Sequence, residues 1–217
     1  MKKLRFYTLV ELLVVVAVAA LILGIATPAF TAMMKGGAMT ASTRELSAKI
    51  KATASYAVAN NCYTALLFPT GSELSATGKN ALYFRCYRPC VVYNDSGWQF
   101  ESWIEGEQWH FMNRGILIGN ADADFTNGVE VQSVPVGTVN RPTDTASSNV
   151  ARAIIFKPNG QLADVPTGNS VTIRLAEGVA TAANAVTFTN KSGSSVPYQV
   201  FTINPLSGKI GFSSVEE

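Results

Sequence analysis

The chain has 217 residues and a formal net charge of +2, with 47% hydrophobic and 15% charged residues. This length suits one globular domain together with one membrane-anchoring helix. The near-neutral charge excludes a general electrostatic attraction to nucleic acid or acidic lipid. Because the chain has a single histidine, a zinc site is not expected.

An apolar run near the N-terminus is the first predicted element. It covers residues 12–30, about 28 Å of helix at ~1.5 Å per residue, close to the ~30 Å hydrocarbon core of a bilayer. Basic residues precede it, so the positive-inside rule predicts a single-pass protein of the cytoplasmic (inner) membrane with a cytoplasmic N-terminus. The remainder is then expected to be periplasmic or extracellular.

Glu11 stands at the start of this run, where a carboxylate is costly unless a partner compensates for it. A cleaved secretory signal would have an apolar region of about 7–15 residues and no acidic residue at its threshold. A plain single-pass anchor is a closer alternative, but it gives Glu11 no role. The most economical partner is another copy of the same helix, so the pattern predicts a subunit of an assembly.

Residues 7–15, which read YTLVELLVV after a short basic leader, resemble the processing signal of type IV pilins and type II secretion pseudopilins. Pro28 falls where that family has a helix-kinking proline. The resemblance implies that a prepilin peptidase removes residues 1–6, cutting between Phe6 and Tyr7, and methylates Tyr7. Phe6 stands where the family has glycine, so either the peptidase tolerates it or the leader is retained.

The resemblance also implies an assembly role for residues 7–35. Filament subunits bundle these helices, and Glu11 would meet the freed amino group of an adjacent subunit, fixing the axial register. The alternative is that Glu11 lies among lipid headgroups. Pro28 would let the helix unwind, or would only mark its exit from the membrane. The implied partners are other subunits, the peptidase, an assembly platform and its ATPase.

Beyond this segment, the expected fold class is α+β: a long N-terminal helix packed on a mainly antiparallel β-sheet domain. Residues 36–61 are predicted to continue the helix amphipathically, with Leu46, Ile50 and Ala57 near one face. Residues 62–217 are predicted to form the β-rich extracytoplasmic domain. The predicted strands are residues 63–68, 81–87, 91–93, 98–104, 107–112, 153–157, 171–175, 185–189, 198–203 and 209–212.

Two turns near the C-terminus refine the resemblance. Residues 153–160 end in Pro-Asn-Gly, and residues 201–210 contain Asn-Pro-Leu-Ser-Gly. They look like the paired turns of H-type minor pseudopilins and FimT-like minor pilins. The chain is therefore expected to be a minor rather than a major subunit.

Three cysteines, Cys62, Cys86 and Cys90, would lie on the exported side, where disulfides persist. The expected arrangement is one bridge and one spare thiol. The strand pattern favours Cys62 paired with Cys86 or Cys90, and the sequence leaves the choice between them open.

The other candidate sites are weaker. Oxygen-bearing residues at Asp122, Asp124, Asn127 and Glu130 are vaguely similar to a calcium loop, but their spacing misses the EF-hand pattern. Three carboxylates at Glu101, Glu105 and Glu107 invite comparison with a glycosidase pair, although a solvated strand face is favoured. His110 is expected to be a packed strand residue.

Aromatic and basic residues offer binding alternatives. Trp98, Trp103 and Trp109 would bind sugars or proteins if exposed, or would fill the sheet core if buried. Arg85 and Arg88 lie beside aromatic residues and could contact DNA, as FimT-like proteins can. The favoured function is a non-enzymatic structural subunit of a type IV pilus or secretion pseudopilus. The alternative is a membrane-anchored module that binds carbohydrate or DNA and has no filament role.

Overall fold

The computed structural model describes residues 9–69, 85–119, 125–135, 150–166, 168–182, 185–188 and 198–215. Within these residues, one helix, α1, covers Leu9–Asn60, and twelve strands follow it. They are β1 Tyr63–Phe68, β2 Cys86–Asn94, β3 Trp98–Trp103, β4 His110–Phe111, β5 Ile116–Ile118, β6 Phe125–Thr126, β7 Val129–Gln132, β8 Ala151–Phe156, β9 Val171–Ala182, β10 Ala185–Phe188, β11 Tyr198–Ile203 and β12 Ile210–Val215. The chain divides into two compact units, residues 1–38 and 39–217.

The part of α1 in the second unit is amphipathic. Leu46, Ile50, Thr53 and Ala57 are buried, and they recur at the three- and four-residue spacing that aligns side chains on one helix face. The helix ends where Asn61 adopts a left-handed conformation (φ 49°) and the amide of Cys62 bonds to the carbonyl of Ala57 at 3.2 Å. Asparagine tolerates this conformation at a helix C-terminus.

The first sheet closes on itself. Its strand order is β1-β8-β7-β3-β2, β2 also pairs with β1, and β4 extends from β2. The pairs are antiparallel except β3 with β7, which is parallel. The interior is a buried apolar cluster that includes Ala65, Leu67, Cys90, Val131 and Ile155.

β1 is buried on both faces because it lies between this interior and α1. Ala65 and Leu67 belong to the interior cluster. Thr64, on the opposite face, is fully buried and donates its hydroxyl to the backbone carbonyl of Thr53 in α1 at 3.0 Å. A strand covered on both faces reads as a nearly continuous apolar run, as β1 does.

The second sheet is organised around the long strand β9, and its strand order is β10-β9-β11-β12, with β5 and β6 also paired to β9. Ile173 of β9 lies opposite Phe201 of β11 and also opposite Phe125 of β6. All three residues are fully buried. β12 pairs with β11 along its whole length, from Ile203 opposite Ile210 to Tyr198 opposite Val215.

The expected fold class is wrong. Twelve strands in two sheets dominate the described chain, so the protein is mainly β rather than a long transmembrane helix packed on a sheet. Within the described residues, no helical stretch combines the length and the apolar character needed to cross a bilayer. That finding overturns the expected transmembrane helix over residues 7–35 and the expected single-pass placement in the inner membrane with a periplasmic or extracellular domain.

Candidate functional site

Residues 9–24 of α1, here called the apolar segment, expose hydrophobic side chains on every side of the helix. Residues 12–16 are consecutive and cover more than one full turn at about 3.6 residues per turn. Each large hydrophobic residue of the segment is more than half exposed: Leu9, Val10, Leu12, Leu13, Val14, Val15, Val16, Val18, Leu21, Ile22 and Leu23. A contiguous exposed apolar surface of this size marks an interaction site.

Glu11 is the one charged residue of the apolar segment. It lies in the first turn of α1 and is exposed. Acidic groups are favoured there because aligned peptide dipoles place partial positive charge at a helix N-terminus. The segment therefore combines an all-round apolar surface with a single carboxylate at one end.

The other residues predicted for processing and assembly are described only in part. Phe6 and Tyr7, the predicted cleavage pair, lie outside the described residues. Pro28 falls within the range of α1, in a stretch whose side chains are not described. The kink predicted at Pro28 stays a prediction.

The predicted disulfide is wrong, because Cys62, Cys86 and Cys90 are all free thiols. Cys86 and Cys90 are four residues apart in β2, about 13 Å along a strand, whereas a disulfide needs Cα atoms within about 7 Å. The β1–β2 register places Tyr63 opposite Val92. Cys62 is therefore about three positions out of register with Cys90, and farther still from Cys86.

The two thiols of β2 are also expected to be unreactive. Cys86 and Cys90 are fully buried, and burial raises the pKa of each thiol above its usual range. The thiolate is the reactive form of cysteine. Neither residue is therefore suited to nucleophilic or redox chemistry at neutral pH.

The tryptophans lie in or against the core of the first sheet rather than on an open surface. Trp98 is only 6% exposed, and its indole N–H donates to the Asp164 carboxylate. The Trp103 ring lies 4.7 Å from that of Phe100 and 5.6 Å from that of Trp109, measured between centroids. These rings contact one another instead of forming a platform for a sugar.

The two arginines predicted to contact DNA differ in their exposure to solvent. Arg88 is 6% exposed, and its guanidinium carbon lies 3.8 Å from the centroid of the Trp103 ring. This stacking is a cation–π contact. Arg85 is half-buried. Since Arg88 faces an aromatic ring in the interior, the pair does not present the continuous basic surface that DNA binding needs.

A polar cluster joins α1 to the loop before β4. Lys49 Nζ lies 2.8 Å from both carboxylate oxygens of Glu107, and His110 Nε2 lies 2.7 Å from Glu107 Oε2. Burial raises the pKa of Glu107, but the hydrogen bonds and charges of Lys49 and His110 outweigh it and lower that pKa below 4.5 on balance. The contact between Lys49 and Glu107 was not foreseen, because 58 residues separate them and no local pattern pairs them.

The cluster borders an open cavity of about 330 Å³, lined by Glu45, Ala48, Lys49, Ala52, Tyr87, His110 and Phe111. The Tyr87 ring stacks on His110 at 5.7 Å. Burial, followed by the charges of Glu45 and Glu107, raises the pKa of Tyr87. Glu101 and Glu105 are exposed, while Glu107 is held by a cation and an imidazole. This arrangement ties the helix to the sheet and does not resemble a pair of catalytic carboxylates.

The calcium hypothesis gains no support from the described residues. Asp122 and Asp124 lie outside them, and the Asn127 side chain donates to the backbone carbonyl of Ser170 at 2.9 Å. Glu130 is exposed on β7. Across the part of the chain that is described, no three His, Cys, Asp or Glu residues converge as metal ligands would.

The two C-terminal turns, separated by more than forty residues in sequence, contact each other. Gly208 has a positive φ of 63°, and a Cβ placed on it would come within 3.0 Å of the carbonyl oxygen of Gly160. The amide of Leu162 donates to the carbonyl of Pro205 at 2.9 Å. The positive φ and the close approach to Gly160 both favour glycine at position 208.

No family model matches this chain, and neither a curated protein nor a solved structure is significantly similar to it. Inferences about function therefore rest on two features of the chain itself: a mainly β unit, and an apolar helical segment that carries one acidic residue.

Proposed function

We propose that this chain is a structural subunit of a filament of the type IV pilin or type II secretion pseudopilin kind. Subunits would join through the apolar segment, and Glu11 would set their axial register. The exposure of every large hydrophobic side chain between residues 9 and 23 carries this proposal. The pilin-like signal at residues 7–15 supports it from the sequence.

The apolar segment suits a bundle of like helices better than a single docking groove. A helix that docks into one groove needs only one apolar stripe. Here apolar residues occupy all sides, so full burial requires neighbours all round. Copies of the same segment, arranged helically, would supply such neighbours.

Glu11 then defines how the copies align. A carboxylate inside an apolar bundle is tolerated when an opposite charge compensates for it, and the amino group of an adjacent subunit processed before Tyr7 would provide that charge. Removing one member of a buried charge pair costs about 3–5 kcal/mol. The peptidase, assembly platform and ATPase of such systems are part of this proposal.

The test compares Glu11→Ala with Glu45→Ala in the full-length chain, expressed in its source cells. Glu45 is an exposed glutamate of the same helix, within the second unit, and serves as the matched control. Filaments sheared from cells are sedimented, and the subunit is quantified in the pellet. Glu11→Ala should lower incorporation at least about a hundredfold, since a loss of about 3 kcal/mol corresponds to that factor.

Two outcomes would overturn the proposal: equal incorporation of the Glu11→Ala and unchanged chains, or an equal loss with Glu45→Ala. Circular dichroism of the purified variants checks that both fold. The mass of the mature N-terminus gives a second readout, because a subunit processed as proposed begins with methylated Tyr7.

The alternative of a surface module that binds carbohydrate or DNA is not favoured by a specific observation. Trp98 and Arg88 are buried, and the rings of the half-buried Trp103 and Trp109 pack edge to face against each other. A binding surface would need such groups facing solvent.

A further inference from the structure

β12 forms an exposed edge of the second sheet. Among the described strands it pairs only with β11. Residues 211–214 are all exposed, and Phe212 keeps 69% of its surface accessible, although Phe201 directly opposite it is fully buried. The edge therefore offers backbone hydrogen-bonding groups beside an uncovered aromatic ring.

Such an edge is unusual because it lacks the common protections. Soluble proteins protect edge strands with charged residues, proline, bulges or very short length. β12 has six residues, IGFSSV, with no charge and no proline. Its pairing with β11 runs without a shift in register. The strand is thus suited to accept another strand.

We propose that β12 pairs antiparallel with β12 of a second copy of this chain. Along an edge strand, every second residue points its backbone N–H and C=O groups outward. When two identical strands pair antiparallel, even-numbered residues must therefore face even-numbered residues, and odd-numbered residues must face odd-numbered ones. The register centred on Phe212 meets this condition: Phe212 lies opposite itself, Ile210 opposite Ser214, and Gly211 opposite Ser213. The two Phe212 rings then cover each other on the same face of the joined sheet.

A second copy fits this edge better than an unrelated charged peptide. An uncharged strand offers no opposite charges to such a peptide, and it imposes no like-charge contact on its own copy. The pairing is isologous, so it closes as a two-fold dimer rather than extending indefinitely. It is separate from the proposed contact through the apolar segment, because β12 and residues 9–24 belong to different units.

Cysteine cross-linking tests the pairing and its register. Phe212→Cys and, as the matched control, Ser214→Cys are introduced into a full-length Cys62→Ser background, in which the remaining thiols are fully buried. Residue 214 and its counterpart would be about four positions, roughly 13 Å, out of register along the strands. Mild oxidation should yield at least about tenfold more linked dimer at position 212, because Cα atoms more than about 7 Å apart cannot be bridged.

Absence of linked dimer at position 212, or equal linkage at positions 212 and 214, would overturn the proposal. Circular dichroism confirms that each variant folds. A second experiment keeps the Phe212 ring in place. Sedimentation velocity is measured on the Glu11→Ala chain, which serves as the parent, and on the same chain with Ser213→Lys added. The charge at the centre of the strand should shift the species from dimer to monomer, and a monomeric parent would contradict the pairing.

Discussion

The two parts of α1 relate to solvent in opposite ways. In residues 9–24 every large hydrophobic side chain is more than half exposed, whereas in residues 39–60 Leu46, Ile50 and Ala57 are fully buried. Yet Leu13 and Leu46 are the same residue type in the same helix. The difference shows that one stretch of α1 completes its packing within the chain, whereas the other leaves its apolar side chains exposed.

The sequence patterns explain this difference. Residues 9–24 carry one charge and no polar face, so packing against a single sheet would leave most of their apolar surface in water. Residues 39–60 alternate apolar and polar positions at helical spacing, and one face suffices to bury them. Variants that affect one part and spare the other will test the distinction.

The largest expected effect comes from Leu46→Ala compared with Leu13→Ala. Leu46 is fully buried, so truncation removes apolar contacts and leaves a cavity, which costs about 2–5 kcal/mol of unfolding free energy. Leu13 is 62% exposed, and its truncation should change that free energy by no more than about 0.5 kcal/mol. Urea denaturation followed by circular dichroism measures both values.

In the proposed filament, the two variants should affect assembly in the reverse order. Leu13→Ala is expected to reduce incorporation into that filament while the second unit stays stable. If the two variants lowered the unfolding free energy equally, the separation of roles between the two parts of α1 would be lost.

A smaller effect is expected from the hydrogen bond between β1 and the second part of α1. Thr64→Val removes the hydroxyl that bonds to the Thr53 carbonyl at 3.0 Å and should cost about 1 kcal/mol. Thr53→Val is the matched control, because its hydroxyl bonds within the helix to the carbonyl of Lys49. A larger loss of denaturation midpoint with Thr53→Val than with Thr64→Val would contradict this assignment.

Local patterns in the sequence predicted much of the β unit. β1 and β11 have the predicted bounds, and α1 ends at Asn60, one residue before the predicted end. The sequence pattern predicts a break between the strands at residues 81–87 and 91–93, whereas β2 continues from Cys86 to Asn94 through Pro89. Pro89 lies opposite Leu66 of β1, but it falls between the residues of β2 that pair with β4 and those that pair with β3. Its missing N–H therefore removes no hydrogen bond to β3 or β4.

Long-range features could not be read from the sequence. Closure of the first sheet depends on β1 pairing with both β2 and β8, and the parallel β3–β7 pair joins strands about thirty residues apart. The Lys49–Glu107 contact is of the same kind, since each residue alone looks like an ordinary surface charge. The disulfide prediction failed because the strand pattern does not give the register of β1 against β2, which places Ala65, and not Cys62, opposite Cys90.

The smallest effect is expected at this ion pair. Because hydrogen bonds and charges lower the pKa of Glu107 in the folded state, its stabilising contribution is fully present above the unfolded value of 4.5 and disappears as pH falls through the lower folded value. Glu107→Gln should therefore reduce the unfolding free energy by about 1 kcal/mol at pH 7. The difference from the unchanged chain should shrink as pH falls below 4.5, as measured by urea titrations across that range. The exposed Glu101→Gln, which leaves the contact between Lys49 and Glu107 intact, is the matched control. If the difference for Glu107→Gln were the same at every pH, the contact would not hold the helix to the sheet electrostatically.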